Sequence, residues 1–284
     1  MNELKHCASI DLEDWYFDVE HVVPPDTAAF TQAFDRQLNR IQSILDDAKV
    51  RCTFFALGRT VERHPAWIKR LHSAGHEIAT HGYGHGRLPT LNPESFRADV
   101  RHSLDVVADL IGTRPKGYRA PYFSLGQAQF WAYEILVAEG LRYSSSVLPF
   151  GREHRASRCP LAPVRIATAS GSIVEMPASV IEVAGCRLPV AGGGFWRALP
   201  RTAINAATQH IRRDGRALVL YLHPHEFDPQ PLHSHKGIAR NAYVNFGRAS
   251  VAGKLQYILK RFSFHPISDA VSGLGNIAEW PAYA

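Results

Sequence analysis

Two rhythms of apolar and polar positions take turns along this chain. Short apolar bursts mark strands, and longer stretches with apolar residues three and four apart mark helices. HCASID (6–11) reads as a first strand, and AAFTQAFDRQLNRIQSILDDA (28–48) follows with helical spacing. CTFFAL (52–57) predicts a second strand, AWIKRLHSAG (66–75) a helix stopped at Gly75, and HEIAT (76–80) a third strand. Asn92-Pro93-Glu94 opens a long helix, with asparagine as N-cap and proline at the first position. GYRAP (117–121), LRYSSSV (141–147) and ALVLYLH (217–223) repeat the strand theme. Such alternation predicts an α/β fold, a parallel sheet with helices outside that is either open or closed into a barrel. Residues from about 150 to 200 break the rhythm with Pro, Gly and Arg, one short strand (SIVEMP) and the glycine run PVAGGGFWRALP. We read this region as an elaborated loop over the mouth, within one domain spanning residues 1–284.

Composition narrows the picture little. The 284 residues suffice for a large core, and 45% apolar with 20% charged residues is ordinary for a globular protein. The net charge of +6 is modestly basic, but lysine and arginine are scattered and no nucleic-acid motif accompanies them, so no nucleic-acid partner is expected. The opening MNELKHCASIDLEDW has no apolar run of signal-peptide length, and no window approaches the ~18 apolar residues of a membrane span. The expectation is a cytoplasmic protein, free or peripheral to the inner membrane. Cys7, Cys52, Cys159 and Cys186 are widely spread without a CxxC pair, which predicts reduced, mostly buried thiols.

Chemistry collects where the predicted strands end. In parallel α/β folds that is where function gathers. The first strand runs into DLEDW, with Asp11, Glu13 and Asp14; the third runs into His81 and His85. The strand near 118 runs into RAPY and the strand near 220 into LHPHEFD. The His81/His85 pair is not a helical HExxH pair, because Gly82 and Gly84 discourage a helix and no Glu follows His81. A glycine loop can still aim both rings at one point, and two imidazoles with one carboxylate make a catalytic zinc set with a position open for water.

The ordered set SIDLED, THGYGH, YRAPYFS, RYSSSV and YLHPHEF resembles the polysaccharide deacetylase (NodB homology) family, also called carbohydrate esterase family four. PVAGGGFWRALP, YLHPHEFD and YVNFGR are similar to its bacterial subgroup encoded with exopolysaccharide and exosortase loci. The resemblance runs from about residue 6 to 264. It implies a distorted, incompletely closed (β/α)7 barrel. It also implies a divalent metal, zinc with cobalt, nickel or manganese as substitutes, held by His81, His85 and a carboxylate. Carried over residue by residue, it makes Asp11 the general base, Arg119 the group that orients it and His223 the general acid. The backbone N–H of Tyr122 would bind the oxyanion.

Two positions depart from the family pattern. The usual pair of adjacent aspartates is interrupted by Leu12, so the metal carboxylate is Glu13 or Asp14. Side-chain alternation along a strand favours Glu13, whereas a bend at the strand end would bring in Asp14. Ser144 stands where the subgroup often has an acid, a position read as structural. The run Gly192–Gly194 with Phe195 and Trp196 would let a sugar approach and stack, or else form a tight loop with core aromatics. Glu226 and Asp228 would support a ligand histidine or cap a turn. The activity expected is N-deacetylation of an N-acetylated sugar polymer or lipid-linked oligosaccharide. The alternatives are hydrolysis of a small cyclic or linear amide, and non-catalytic carbohydrate binding.

Overall fold

A computed structural model describes residues 5–20, 27–151, 159–234 and 236–281. Its centre is a nine-stranded sheet. Six of its strands are β1 (His6–Leu12), β2 (Thr53–Ala56), β3 (Glu77–Thr80), β4 (Gly117–Tyr118), β5 (Tyr143–Ser144) and β7 (Gly171–Glu175). With β10 (Val219–Leu222) they make seven parallel neighbours in the order β10-β1-β2-β3-β4-β5-β7. β6 (Val164–Thr168) adds an antiparallel edge to β7, and β11 (Phe264–His265) pairs with the start of β1. Among the described residues β6 and β10 do not pair with each other, so the barrel stays open.

All seven residues of β1 are buried, as a strand flanked by neighbours on both sides and covered on both faces requires. Helices cover the outside. In α1 (Thr27–Ala48), Phe34, Leu38, Ile41 and Leu45 recur at helical spacing and are all buried. Burying each such side chain is worth about 1.5–3 kcal/mol. α2 (Gly58–Arg63) and α3 (Pro65–Ser73) follow β2, and α3 ends two residues before Gly75, whose φ of +83° makes it the left-handed stop. α4 (Pro93–Ile111) begins at Asn92, whose side chain accepts from the Ser95 N–H while the Ser95 hydroxyl accepts from the Asn92 N–H. α5 (Trp131–Ala138) covers the other end of the sheet.

The segment between 150 and 200 holds more regular structure than its composition predicts. One short strand was expected there, and four form. β6 and β7 make a hairpin, and β8 (Val180–Val183) with β9 (Cys186–Pro189) makes a second, separate one. Both turns are only two residues long, Ala169-Ser170 and Ala184-Gly185, and such short turns blur an alternation read over longer windows. A helix, α6 (Gly193–Ala198), then α7 (Arg201–Arg213) lead back to β10. Gly192 lies against β10 so closely that a Cβ there would come 1.9 Å from the Tyr221 carbonyl oxygen. Beyond β10 come α8 (Ile238–Asn245), α9 (Val251–Leu259) and α10 (Ile267–Ser272). No helix among the described residues is long and apolar enough to cross a membrane.

Candidate active site

Because the seven strands run parallel, their C-terminal ends open at one face, and the polar sequence motifs meet there. They border a cavity of about 480 Å³ that takes in Asp11, Glu13, His81, His85, Tyr122 and His223. Asp11 comes from the end of β1, His81 from just after β3, and His223 from just after β10.

Glu13 arrives by a tight turn rather than by strand alternation. β1 ends at Leu12, and the Glu13 N–H donates back to the Asp11 carbonyl at 3.1 Å. That turn carries the Glu13 carboxylate to His85, with Oε2 2.8 Å from His85 Nε2 and 4.0 Å from His81 Nε2. Asp14 goes elsewhere. It caps the helical turn Trp15–Val19, accepting the N–H of Tyr16 and of Phe17, and its other oxygen is 3.8 Å from His64.

Both histidines are held from behind. His81 Nδ1 hydrogen-bonds the Arg119 carbonyl at 2.8 Å, and His85 Nδ1 the Asp18 carbonyl at 3.1 Å. A carbonyl accepts only, so each Nδ1 carries a hydrogen and each Nε2 is left facing Glu13. The loop between them is clamped by Asp99 of α4, whose two oxygens accept the N–H groups of Tyr83 and Gly84 at 2.9 and 3.0 Å. Gly82 is required there, since its φ is +79° and a Cβ would sit 2.7 Å from Asp99 Oδ2.

These residues fit a divalent ion. Glu13, His81 and His85 each offer one ligand atom, all within 4.8 Å of one another. Tetrahedral zinc ligands about 2.0–2.2 Å from the ion stand roughly 3.4 Å apart, which small side-chain adjustments here would reach. Burial drives the His81 pKa down to about 4, so that ring is neutral and ready to donate its lone pair. Burial alone would raise the Glu13 pKa, but the charge and hydrogen bond of His85, with the charges of His223 and His81, hold it well below the carboxylate range. Burial likewise opposes protonation of His85, and the Glu13 charge and hydrogen bond outweigh it and raise the pKa. A divalent ion bound between them would compete with protonation of His85.

Arg119 is fully buried with every nitrogen committed. Nη1 donates to Asp11 Oδ1 at 2.6 Å and to the Ser9 hydroxyl at 2.8 Å; Nε and Nη2 donate to the carbonyl and hydroxyl of Ser145. Phe55 lies 4.1 Å beneath the guanidinium. Asp11 is thus fixed on one side, while its Oδ2 faces His223 Nε2 at 3.9 Å across the cavity. His223 is fixed too, because Glu226 Oε2 accepts from both its backbone N–H (3.0 Å) and its Nδ1 (3.2 Å). Burial lowers the His223 pKa, but the Glu226 hydrogen bond and the charges of Glu13, Glu226 and Asp11 outweigh it and hold it up at about 9. Tyr122 sits in a 3₁₀ turn (Pro121–Phe123) with φ of 58°, and its ring is 4.6 Å from the His85 ring. Left-handed backbone in a non-glycine residue is costly and concentrates at functional sites.

Other sequence candidates separate. Trp196 is wholly buried in the core, whereas Gly193 and Gly194 border the cavity and Phe195 is 44% exposed. Asp228 binds Gln37 and the backbone of Gln230, away from the cavity. Ser144 donates to Ser146 Oγ, and its neighbours' N–H groups at Ser146 and Val147 are received by Glu175, a buried glutamate unmarked in the sequence. Arg87, Arg197, Arg240 and Tyr243 also border the cavity; Arg197 and Tyr243 lie in the quoted motifs PVAGGGFWRALP and YVNFGR without having been given a role, and nothing in the local sequence marked Arg87 or Arg240.

Residues 27–134 match the family described as "Polysaccharide deacetylase", and residues 145–272 match a "Domain of unknown function (DUF3473)". The site draws on both matched regions and, through Asp11 and Glu13, on residues before them. Among curated proteins, a peptidoglycan-N-acetylglucosamine deacetylase of Bacillus cereus is 36% identical over 32% of this chain and 34% of its own length. Chitin deacetylase 2 of Saccharomyces cerevisiae is 30% identical over 41% of the chain and 39% of its own. The chain thus matches little more than a third of these relatives. A solved structure of a candidate polysaccharide deacetylase from Mycobacterium smegmatis shares the fold, with a TM-score of 0.65 at 23% identity, covering 96% of this chain and 91% of that one.

Proposed function

We propose a function from one premise: the chain belongs to the polysaccharide deacetylase family. The reading is a metal-dependent hydrolase that removes acetyl groups from an N-acetylated sugar in a polysaccharide or oligosaccharide. The observation that carries it is the pairing, in one cavity, of a three-ligand set with two opposed proton-transfer groups. Glu13, His81 and His85 make the set, and Asp11 and His223 face each other at 3.9 Å.

Glu13, His81 and His85 would hold a divalent ion, zinc by the donor types, with Asp14 engaged as a helix cap. Such an ion supplies Lewis acidity, polarising the amide carbonyl and lowering the pKa of water. The chain's own groups do the rest. Asp11, pinned by Arg119, takes the proton of the attacking water through its free oxygen. The Tyr122 backbone N–H stabilises the oxyanion as the carbonyl carbon becomes tetrahedral. His223, oriented by Glu226, delivers a proton to the nitrogen, so that the C–N bond breaks to a neutral amine and acetate. Without that proton the leaving group would be an amide anion, far too basic to depart.

The same reading treats residues 1–284 as one catalytic unit, since one sheet spans both matched regions and one cavity needs both. A role in making or modifying exopolysaccharide is the setting the subgroup motifs favour.

Acetate release from an N-acetylhexosamine oligomer tests the reading. Release at a rate proportional to protein, with the amine-bearing sugar recovered, is expected. Hydrolysis of small cyclic amides with no acetate from the oligomer would transfer the site to another substrate class.

A further inference from the structure

Arginines dominate the rim of the cavity. Arg87, Arg197 and Arg240 border it, while the carboxylates that border it, Asp11, Glu13 and Glu226, are buried and committed to Arg119, His85 and His223. Arg197 is itself buried, donating to the Val244 carbonyl and standing 3.6 Å from Glu226. Arg240 Nε lies 3.7 Å from Glu20 Oε1, and Lys236 Nζ lies 3.9 Å from the same oxygen. Two cations share one carboxylate there, so that side keeps a net positive charge.

Arg87 differs from both. It is exposed, and among the described residues no carboxylate lies within ion-pair distance of it. Its guanidinium sits 5.1 Å above the Tyr122 ring, which is itself 45% exposed and 4.6 Å from the ring of His85. An aromatic face beneath an arginine steadies the guanidinium without neutralising it. The result is a planar cation with no carboxylate partner at the edge of the cavity, separated from His85 by the Tyr122 ring. A guanidinium presents paired N–H donors that match a carboxylate or a phosphate group.

We propose that the glycan taken by this site is acidic, and that Arg87 reads its carboxylate or phosphate group. The proposal rests on the deacetylase reading of the cavity. The positive rim then draws an anionic chain toward the opening.

The test compares three oligomers of equal length: neutral N-acetylhexosamine, N-acetylhexosamine alternating with hexuronate, and N-acetylhexosamine ending in a glycosyl diphosphate. Binding by calorimetry and kcat/KM by acetate release are measured on the zinc-loaded full chain and on Arg87→Gln. The wild type should favour one anionic oligomer over the neutral one by about 10-fold or more, a preference that shrinks as salt is raised. Whether the hexuronate or the diphosphate is favoured identifies the source of the charge. In Arg87→Gln the ratio of anionic to neutral should fall to within about 3-fold. No preference in the wild type, or one that survives in Arg87→Gln, overturns the proposal. If no oligomer releases acetate but the binding preference and its loss persist, the hydrolytic reading fails and the recognition of acidic glycans stands.

Discussion

Asp11 and His223 face each other at 3.9 Å, and each is fixed from behind by one partner, Arg119 for the first and Glu226 for the second. That symmetry separates the roles of two groups that could otherwise both be read as metal ligands. His223 Nε2 is 3.8 Å from Glu13 Oε1, near enough for the histidine to be mistaken for a fourth ligand. A glutamine at 223 keeps bulk and hydrogen bonding but has no acidic proton to give near neutral pH. His223→Gln should therefore lower amide hydrolysis by about 10²–10⁴ while leaving zinc affinity nearly intact. An activated acetate ester, whose leaving group needs little protonation, should lose much less. Steady-state rates on both substrates, beside a zinc titration, check this; equal losses on the two, or collapsed zinc affinity, would make His223 a ligand. At this scale the sequence was most legible where a polar residue ended an apolar strand, as at Asp11, His81 and His223. Arg87 and Arg197 carried no such mark, because only tertiary folding brings the loop of the first and the helix α6 of the second to the cavity.

The element that matters most is the short loop from Thr80 to His85, held between β3 and α4. Strand β3 aims His81, the positive φ of Gly82 turns the chain, and Asp99 on α4 ties down the two N–H groups in between. Replacing Asp99 by alanine leaves both N–H groups without their acceptor, at about 1–3 kcal/mol for each that stays buried. Asp99→Ala should thus weaken zinc binding about 10-fold or more, the range seen when a ligand's supporting contacts are removed, with the sheet still formed. Competition with a chromophoric chelator, alongside circular dichroism, is the check; unchanged affinity would mean the loop is held by its histidines alone. The glycines told from sequence that the loop was not helical, but Asp99 lies fourteen residues beyond His85 on a helix read only as a cover. The choice between Glu13 and Asp14 was similarly beyond a periodicity argument. Alternation favoured Glu13, yet the chain leaves the strand at Leu12, and a backbone turn delivers Glu13 to His85. The second hairpin, β8 with β9, escaped for a different reason. Its turn falls at Ala184-Gly185, and Val183 and Leu188 stand about half exposed, so no inward-facing alternation marks the two strands.

Over the whole molecule, the strand–helix rhythm was legible because seven parallel strands need seven buried, apolar runs, and closure was not, because pairing between sheet edges leaves no local trace. Burial on this scale also sets a pH response away from the cavity. His76 is buried beside Phe54, with Nδ1 accepting the Cys52 N–H; burial first, then the charge of Arg51, lower its pKa to about 4. The unfolded chain takes up that proton near pH 6.5 and the folded chain does not. Stability is therefore complete above about pH 6.5 and is lost as pH falls toward 4, by up to about 1.4 kcal/mol per pH unit. Urea unfolding at several pH values should show His76→Gln losing less stability per pH unit than the wild type over that window, and identical slopes would remove His76 as the cause. The central claim concerns the cavity itself, where Glu13, His81 and His85 are assigned one ion on which amide hydrolysis depends. The most direct measurement strips the protein with a chelator, adds zinc in steps and follows acetate release from an N-acetylhexosamine oligomer against bound zinc. Activity should start near zero and rise in proportion to bound zinc, levelling off at one ion per chain; full activity in the stripped protein would contradict the account.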